Sequence, residues 1–293
     1  MSKVIEKYIA DGKKTIEEKM KKYLTGNIPE QLHKSMAYSL FAGGKRLRPI
    51  LLFASYHSYK DDIEKVYRTA AALEMIHTYS LIHDDLPAMD DDDYRRGMLT
   101  NHKKFDEATA ILAGDALLTY SFELVASDPL LNEKEKVYII QSLANSSGPE
   151  GMVAGQILDI EGEQKQLTLD ELEQVHVLKT GKLISFAVDA GAYLAGASVE
   201  QRHCLQQFSH YLGLIFQVQD DILDVIGDEE KLGKPVGSDT VNQKSTYPSL
   251  LGLDGAKEKM NEYSEKALEA LRLSGAKEQY LAGLLDYFGS RDY

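Results

Sequence analysis

The sequence predicts an all-α protein on three observations: only 7 prolines in 293 residues, no tract rich in Gly, Ser or Pro, and long windows of Ala, Leu, Glu and Lys that space apolar residues by three and four. Element by element, that spacing predicts helices over 30–42, 49–59, 63–84, 105–126, 133–146, 149–162, 169–195 and 205–224, with three more near Ser245, Ala256 and Ala276. Within 63–84 the stripe Ala70, Leu73, His77, Ser80, Asp84 steps by 3, 4, 3, 4, so one face runs from apolar to polar towards its C-terminal end. Within 205–224, Gly213, Gln217, Asp220 and Asp224 step by 4, 3, 4 and do the same. Two helices therefore carry an apolar body and a polar tip. No linker, low-complexity tract or repeat of about 20 to 50 residues divides the chain, which predicts one domain over 1–293.

Lys and Arg total 33 against 46 Asp and Glu, a net charge of −13. A surface that acidic repels phosphate backbones, so no nucleic acid is expected as a partner. The single cysteine, Cys204, forms no internal disulfide and leaves no cysteine-based zinc site, which fits a reducing compartment. Charges interrupt the start of the chain every few residues, and no stretch approaches about 18 uncharged apolar residues. The expectation is a soluble, cytoplasmic protein with no membrane span.

Between Asp84 and Asp93 lie six aspartates: Asp84, Asp85, Asp90, Asp91, Asp92 and Asp93. On an unbroken helix Asp90 would sit about 240° around from Asp84. Pro87 disfavours helix at Leu86 and lets the chain turn, so that Asp90 can fold back beside Asp84. In the second cluster Asp220 and Asp224 are four apart and share one helical face, with Cβ atoms about 5 to 6 Å apart, so one divalent cation could bridge them. Both clusters fall where a helical pattern ends, and the helix macrodipole disfavours carboxylates there unless a cation reverses the sign. An acidic solvated turn or an N-cap of the next helix accounts for one such cluster, and poorly for two at the ends of similarly patterned helices. An EF-hand fits badly, because loop position 6 counted from Asp90 is Arg95 where Gly is needed, and position 12 is Asn101 where Glu is needed. Hard oxygen donors favour magnesium over a transition metal.

The run Gly43-Gly44-Lys45-Arg46-Leu47-Arg48-Pro49 combines two glycines that can end a helix, three cations, and a proline suited to starting the next helix. It reads as an anion seat; the alternative is an ordinary charged connection. Arg95 and Arg96 follow the first aspartate cluster directly, where bidentate guanidinium groups suit phosphate oxygens or else neutralise the aspartates. His77 lies about 10 Å along the helix from Asp84, facing the same cavity or hydrogen-bonded in the core. Lys179 and Thr180 precede Gly181 in an apolar segment, Gln217 sits one turn before Asp220, and Lys234 lies in a basic turn, each a weak signal alone. An anion held by cations together with a divalent ion held by carboxylates points to a diphosphate.

These residues resemble the trans-prenyl diphosphate synthase (polyprenyl synthetase) family, over nearly the whole chain. The elements that carry the resemblance are Gly-Gly-Lys45-Arg-Leu-Arg48-Pro, His77 through Asp84-Asp85-Leu-Pro-Ala-Met-Asp90 to Arg95-Arg96-Gly, Leu-Ala-Gly-Asp115, Lys179-Thr180-Gly, Phe-Gln217-Val-Gln-Asp220-Asp221-Ile-Leu-Asp224, and Gly-Lys234-Pro-Val-Gly-Ser-Asp. The resemblance implies an isoprenoid-synthase-type helical bundle around a deep central cavity, a homodimer, and three magnesium ions per site. Asp84, Asp85 and Asp90 would hold two ions, and Asp220 and Asp224 the third. Arg95, Lys179 and Lys234 would grip an allylic diphosphate, with Gln217 nearby, while Lys45, Arg48, His77 and Arg96 would seat isopentenyl diphosphate.

The implied reaction is head-to-tail condensation of isopentenyl diphosphate with dimethylallyl and then geranyl diphosphate. The allylic diphosphate ionises, the isopentenyl double bond attacks the cation, and a proton is lost. Thr180 and Gln217 would help stabilise the cation, the departing diphosphate would take the proton, and no protein general base is assigned. Tyr79 and Ser80, about one turn below Asp84, would set product length. An aromatic at the first of these positions resembles family members that stop at farnesyl diphosphate; the alternatives are core packing for Tyr79, and a geranyl or geranylgeranyl product. A terpene cyclase is disfavoured, because that class carries an Asn/Ser/Glu triad where this chain has a second Asp-Asp-x-x-Asp. A silent subunit of a heteromeric synthase is disfavoured because both aspartate motifs and the basic residues are retained.

Overall fold

The computed structural model describes residues 2–163, 165–226 and 245–291. In chain order its helices are α1 Lys3–Tyr23, α2 Glu30–Leu40, α3 Leu47–His57, α4 Tyr67–Asp84, α5 Asn101–Lys104, α6 Glu107–Ala126, α7 Glu133–Ser147, α8 Met152–Gly162, α9 Leu169–His176, α10 Lys182–Leu194, α11 Val199–Ile226, α12 Tyr247–Leu273 and α13 Glu278–Ser290. The all-α expectation is met, and the observed elements differ from the predicted ones in a few places.

The spacing does not predict α1, whose buried residues are only Ile5, Ile16 and Met20 among many lysines and glutamates. The segment predicted as one helix over 63–84 opens with a 3-10 turn, Ile63–Val66, before α4 begins. The segment predicted as one helix over 169–195 is divided by a π-turn, Val177–Gly181, between α9 and α10. Of the three helices predicted at the C-terminal end, the first two merge into α12, which kinks at Gly252 (φ 72°), and the third is α13. A hairpin joins β1 (Tyr94–Arg95) to β2 (Met98–Leu99), with Tyr94 opposite Leu99. Its turn residues Arg96 and Gly97 both have positive φ, 53° and 74°, as the tightest hairpin turns require.

Helices α3, α4 and α10 form the interior. Nearly every residue from Leu47 to Tyr56 in α3 and from Thr69 to Ile76 in α4 is buried. Small residues allow it: Ala70, Ala71 and Ala72 on α4, and Ala187, Ala190, Gly191 and Ala192 on α10, keep the helix surfaces shallow. At Gly191 a Cβ would come within 2.9 Å of the Ser55 side chain on α3. Around this centre α10 packs on α3, α7 and α11, α4 packs on α6, and α11 packs on α12. By length and composition α6 is apolar enough to cross a membrane, and its Ala110, Ala113, Leu117 and Leu124 face is buried in the bundle. Each such leucine contributes about 1.5–3 kcal/mol by leaving water.

Candidate active site

The turn after α4 shapes the first aspartate cluster. Asp84 ends α4 and Asp85 caps it. Beyond Pro87 the chain doubles back, the Asp90 N–H donating to the Asp84 carbonyl at 2.9 Å and the Met89 N–H to the Leu86 carbonyl at 2.8 Å. Asp90 is thereby returned to Asp84, as the proline predicts. Arg95, presented by β1, grips Asp85 through Nε at 2.7 Å and through a terminal nitrogen at 2.6 Å. Lys103 pairs with Asp93 at 2.8 Å. Burial pushes the Asp84 carboxyl up to about 6; Lys179 opposes that shift, and the neighbouring Asp90 and Asp85 charges add to it.

The basic run before α3 separates three neighbouring cations. Gly43 and Gly44 have φ of 93° and 110°, and Arg46 takes the left-handed conformation at φ 54°. That twist sends Arg46 inward, where it is buried against Glu74 at 2.7 Å and donates to the Leu40 carbonyl at 2.6 Å. Arg46, with its guanidinium paired to Glu74, lies in the same wall as Lys45 and Arg48 of a cavity of 550 Å³ that His77, Arg96, Asp220 and Arg291 also line. Arg96 reaches it by a second left-handed residue: adjacent to Arg95 but turned away, it donates to the Gly43 carbonyl at 2.5 Å. Arg48 donates to His77 Nε2 at 3.3 Å. Burial, and then the surrounding arginines, hold His77 well below its ordinary pKa, so it is neutral and accepts at Nε2. The Nε atoms of Arg48 and Arg291 are buried without a protein acceptor, as in a site built for an anion.

Arg48 and His77 also line a second, more apolar chamber of 320 Å³ with Tyr79, Ser80, Asp84, Met152, Gln156, Ile157, Lys179 and Thr180. Tyr79 is 7% exposed and stands edge-on to His83, with ring centroids 5.8 Å apart. Lys179 and Thr180 belong also to a third, smaller cavity with Asp159, His176, Gln217 and Asp221. The apolar chamber thus shares Arg48 and His77 with the basic cavity and Lys179 and Thr180 with the third, so it lies between them. Lys179 Nζ bonds Asp159 at 2.6 Å.

The second aspartate cluster divides by role. Asp220 faces the basic cavity and pairs with Arg291 at 2.6 Å. Asp221 accepts from the Tyr247 N–H at 2.8 Å and so caps α12. Asp224 is buried, at 3% exposed. Among the described residues no three carboxylate, imidazole or thiol groups already converge as a metal cage. The donor set nonetheless suits a hard divalent ion: all oxygen, with the Asp84 carboxyl raised partly by like charges that a cation would relieve. Lys234 lies outside the described residues.

Sequence reasoning missed Arg291, Asp159 and Gln156. Asp159 and Gln156 carried a signal, a polar pair three apart on an otherwise apolar stretch of α8. Arg291 carried none, since only the folded chain brings it to α11, where it lies over the Phe216 ring at 3.7 Å.

A cation-lined cavity and an aspartate-rich turn that meet at an apolar chamber suit an enzyme that joins two diphosphates through their hydrocarbon parts. The chain belongs to the polyprenyl synthetase family, whose model matches residues 29–282. It is 49% identical over 292 residues to the farnesyl diphosphate synthase of Geobacillus stearothermophilus, covering 99% of this chain and 98% of that protein. It is also 49% identical to the farnesyl diphosphate synthase of Bacillus subtilis (strain 168), with both chains fully covered. Among solved structures, it superposes on the geranyltransferase of Legionella pneumophila with a TM-score of 0.86, at 37% identity and 98% coverage of each chain.

Proposed function

We propose that this protein is a farnesyl diphosphate synthase, which condenses isopentenyl diphosphate with dimethylallyl diphosphate and then with geranyl diphosphate. The observation that carries the reading is the shared wall at Arg48 and His77, with a basic seat on one side and an apolar chamber lined by Tyr79 on the other. Lys45, Arg48, His77 and Arg96 seat the isopentenyl diphosphate. Lys179, Arg95 and Lys234 grip the allylic diphosphate, whose chain lies along Ser80 towards Tyr79. Magnesium, three ions held by Asp84, Asp85, Asp90, Asp220 and Asp224, would neutralise charge growing on the leaving diphosphate, an effect worth several kcal/mol in such sites. The Thr180 hydroxyl and the Gln217 amide turn negative ends towards the allylic cation, and the departing diphosphate accepts the proton lost after attack.

The chain acts as one domain over 1–293, is soluble and cytoplasmic, and works as a homodimer. Supporting the dimer are exposed apolar residues on two helices, Ile111 and Leu112 on α6 and Val153, Ile157 and Ile160 on α8, of which the three on α8 also line the apolar chamber. Incubation of the purified protein with isopentenyl diphosphate, dimethylallyl diphosphate and magnesium, with a chelator control, tests the reading. A metal-dependent fifteen-carbon product is expected. Longer products would overturn the length assignment alone, and no product from folded protein would overturn the activity.

A further inference from the structure

The π-turn that presents Lys179 and Thr180 is gripped from both sides by glycines. On α8, a Cβ added at Gly155 would lie 2.5 Å from Lys179 Cα and 2.7 Å from the Leu178 carbonyl carbon, and closer still to the Lys179 nitrogen. On α11, a Cβ at Gly213 would lie 3.0 Å from Gly181 Cα. Two helices thus touch this turn backbone to backbone, which no other residue type permits at Gly155.

The spacing around each glycine is informative. Gly155 and Asp159 are four apart on α8 and share a face, so one helix face admits the Lys179 backbone and holds its ammonium group at 2.6 Å. Gly213 lies one turn below Gln217 on α11, and Gln217 lines the same cavity as Thr180. A π-turn inserts an extra residue into the helical repeat, and such turns are rare and concentrate at functional sites. Here it shifts Lys179 and Thr180 out of the register that a continuous helix over 169–195 would impose.

We infer that Gly155 and Gly213 are positioning residues that set where Lys179 and Thr180 stand in the cleft, acting through the π-turn without touching substrate. The inference rests on the roles of Lys179 and Thr180 proposed above. Misplacing a reacting group by about 1 Å can cost a hundredfold in rate. For Gly155→Ala we therefore expect kcat/KM for geranyl diphosphate to fall about 100-fold, with KM for isopentenyl diphosphate within about twofold of the parent, because that seat is built from the loop before α3, α3, α4 and the hairpin. In a Lys179→Ala background the same substitution should cost about tenfold or less, since the displaced group is gone.

Parallel losses in both KM values, or an undiminished hundredfold loss in the Lys179→Ala background, would overturn the inference. If Gly155→Ala does not fold, Gly213→Ala decides: its Cβ requires a shift of only a few tenths of an ångström, and about a tenfold loss confined to geranyl diphosphate is expected, whereas parental kinetics sink the idea. Lys179→Ala alone separates the two readings. Parental activity there defeats the role of Lys179 itself, while a crippled Lys179→Ala beside a normal Gly155→Ala defeats only the glycine grip.

Discussion

Lys45 and Arg46 are adjacent cations in one cavity wall, and the left-handed backbone at Arg46 turns its guanidinium to Glu74. The Arg46 and Glu74 side chains are 1% and 3% exposed, and Glu17 at 3.3 Å is the second carboxylate on the Arg46 guanidinium, so removing Glu74 leaves the buried cation half-paired. Glu74→Ala should lower stability by about 1.5–3 kcal/mol in urea denaturation, the weight of one buried charged hydrogen bond. Lys45→Ala should raise KM for isopentenyl diphosphate at least about tenfold, the weight of one charged contact. His176 offers a pH test. Burial lowers it to about 4, with Lys179 contributing to the fall and Asp159 opposing it, and its ring stacks on Tyr247. The unfolded chain binds that proton from about pH 6.5 downwards. Stability is therefore fully present above 6.5 and is lost as pH falls towards 4, at up to about 1.4 kcal/mol per pH unit. His176→Phe, which keeps the stack, should flatten the profile between pH 6.5 and 4; an unchanged slope would count against a neutral buried imidazole.

The hairpin and the loop before α3 act as one element, although they lie about fifty residues apart in the chain. Arg96 closes onto Gly43, and at Gly44 a Cβ would meet the Arg96 guanidinium at 2.6 Å, on a backbone of φ 110° that side chains rarely adopt. Gly44→Ala should therefore push Arg96 from the basic seat, raising KM for isopentenyl diphosphate about tenfold while the KM for geranyl diphosphate stays close to the parent value. Steady-state kinetics with each substrate varied in turn would show it. A similar closeness of distant segments holds at the π-turn. Residues 169–195 have helical spacing throughout, and nothing local in Val177–Gly181 specifies the extra residue. At this turn α8 and α11 approach through glycine, a contact that exists only in the folded chain.

At the scale of the molecule, the proposed reading makes product length a matter of how far the apolar chamber runs before a side chain stops it. Tyr79 comes from α4, one turn below Asp84, and is held edge-on by His83. Tyr79→Ala opens the chamber floor and should shift products from fifteen carbons to twenty or more, read by chromatography of the dephosphorylated alcohols; an unchanged distribution would show that another wall sets the length. Much of this organisation was legible in the chain. The stripes from Ala70 to Asp84 and from Gly213 to Asp224 located both polar helix tips, because a helix repeats every 3.6 residues and so writes its faces into the sequence. Pro87 likewise announced the turn that returns Asp90 to Asp84, since proline constrains its own backbone and that of the residue before it. What only the tertiary structure decided are the partnerships between distant segments: Arg46 with Glu74, Arg96 with Gly43, Asp159 with Lys179, and Arg291 with Asp220. Local spacing specifies which face a residue occupies, whereas which charge meets which is chosen by packing around α3, α4 and α10, where the small residues that permit close approach carry no mark of the partner they will meet.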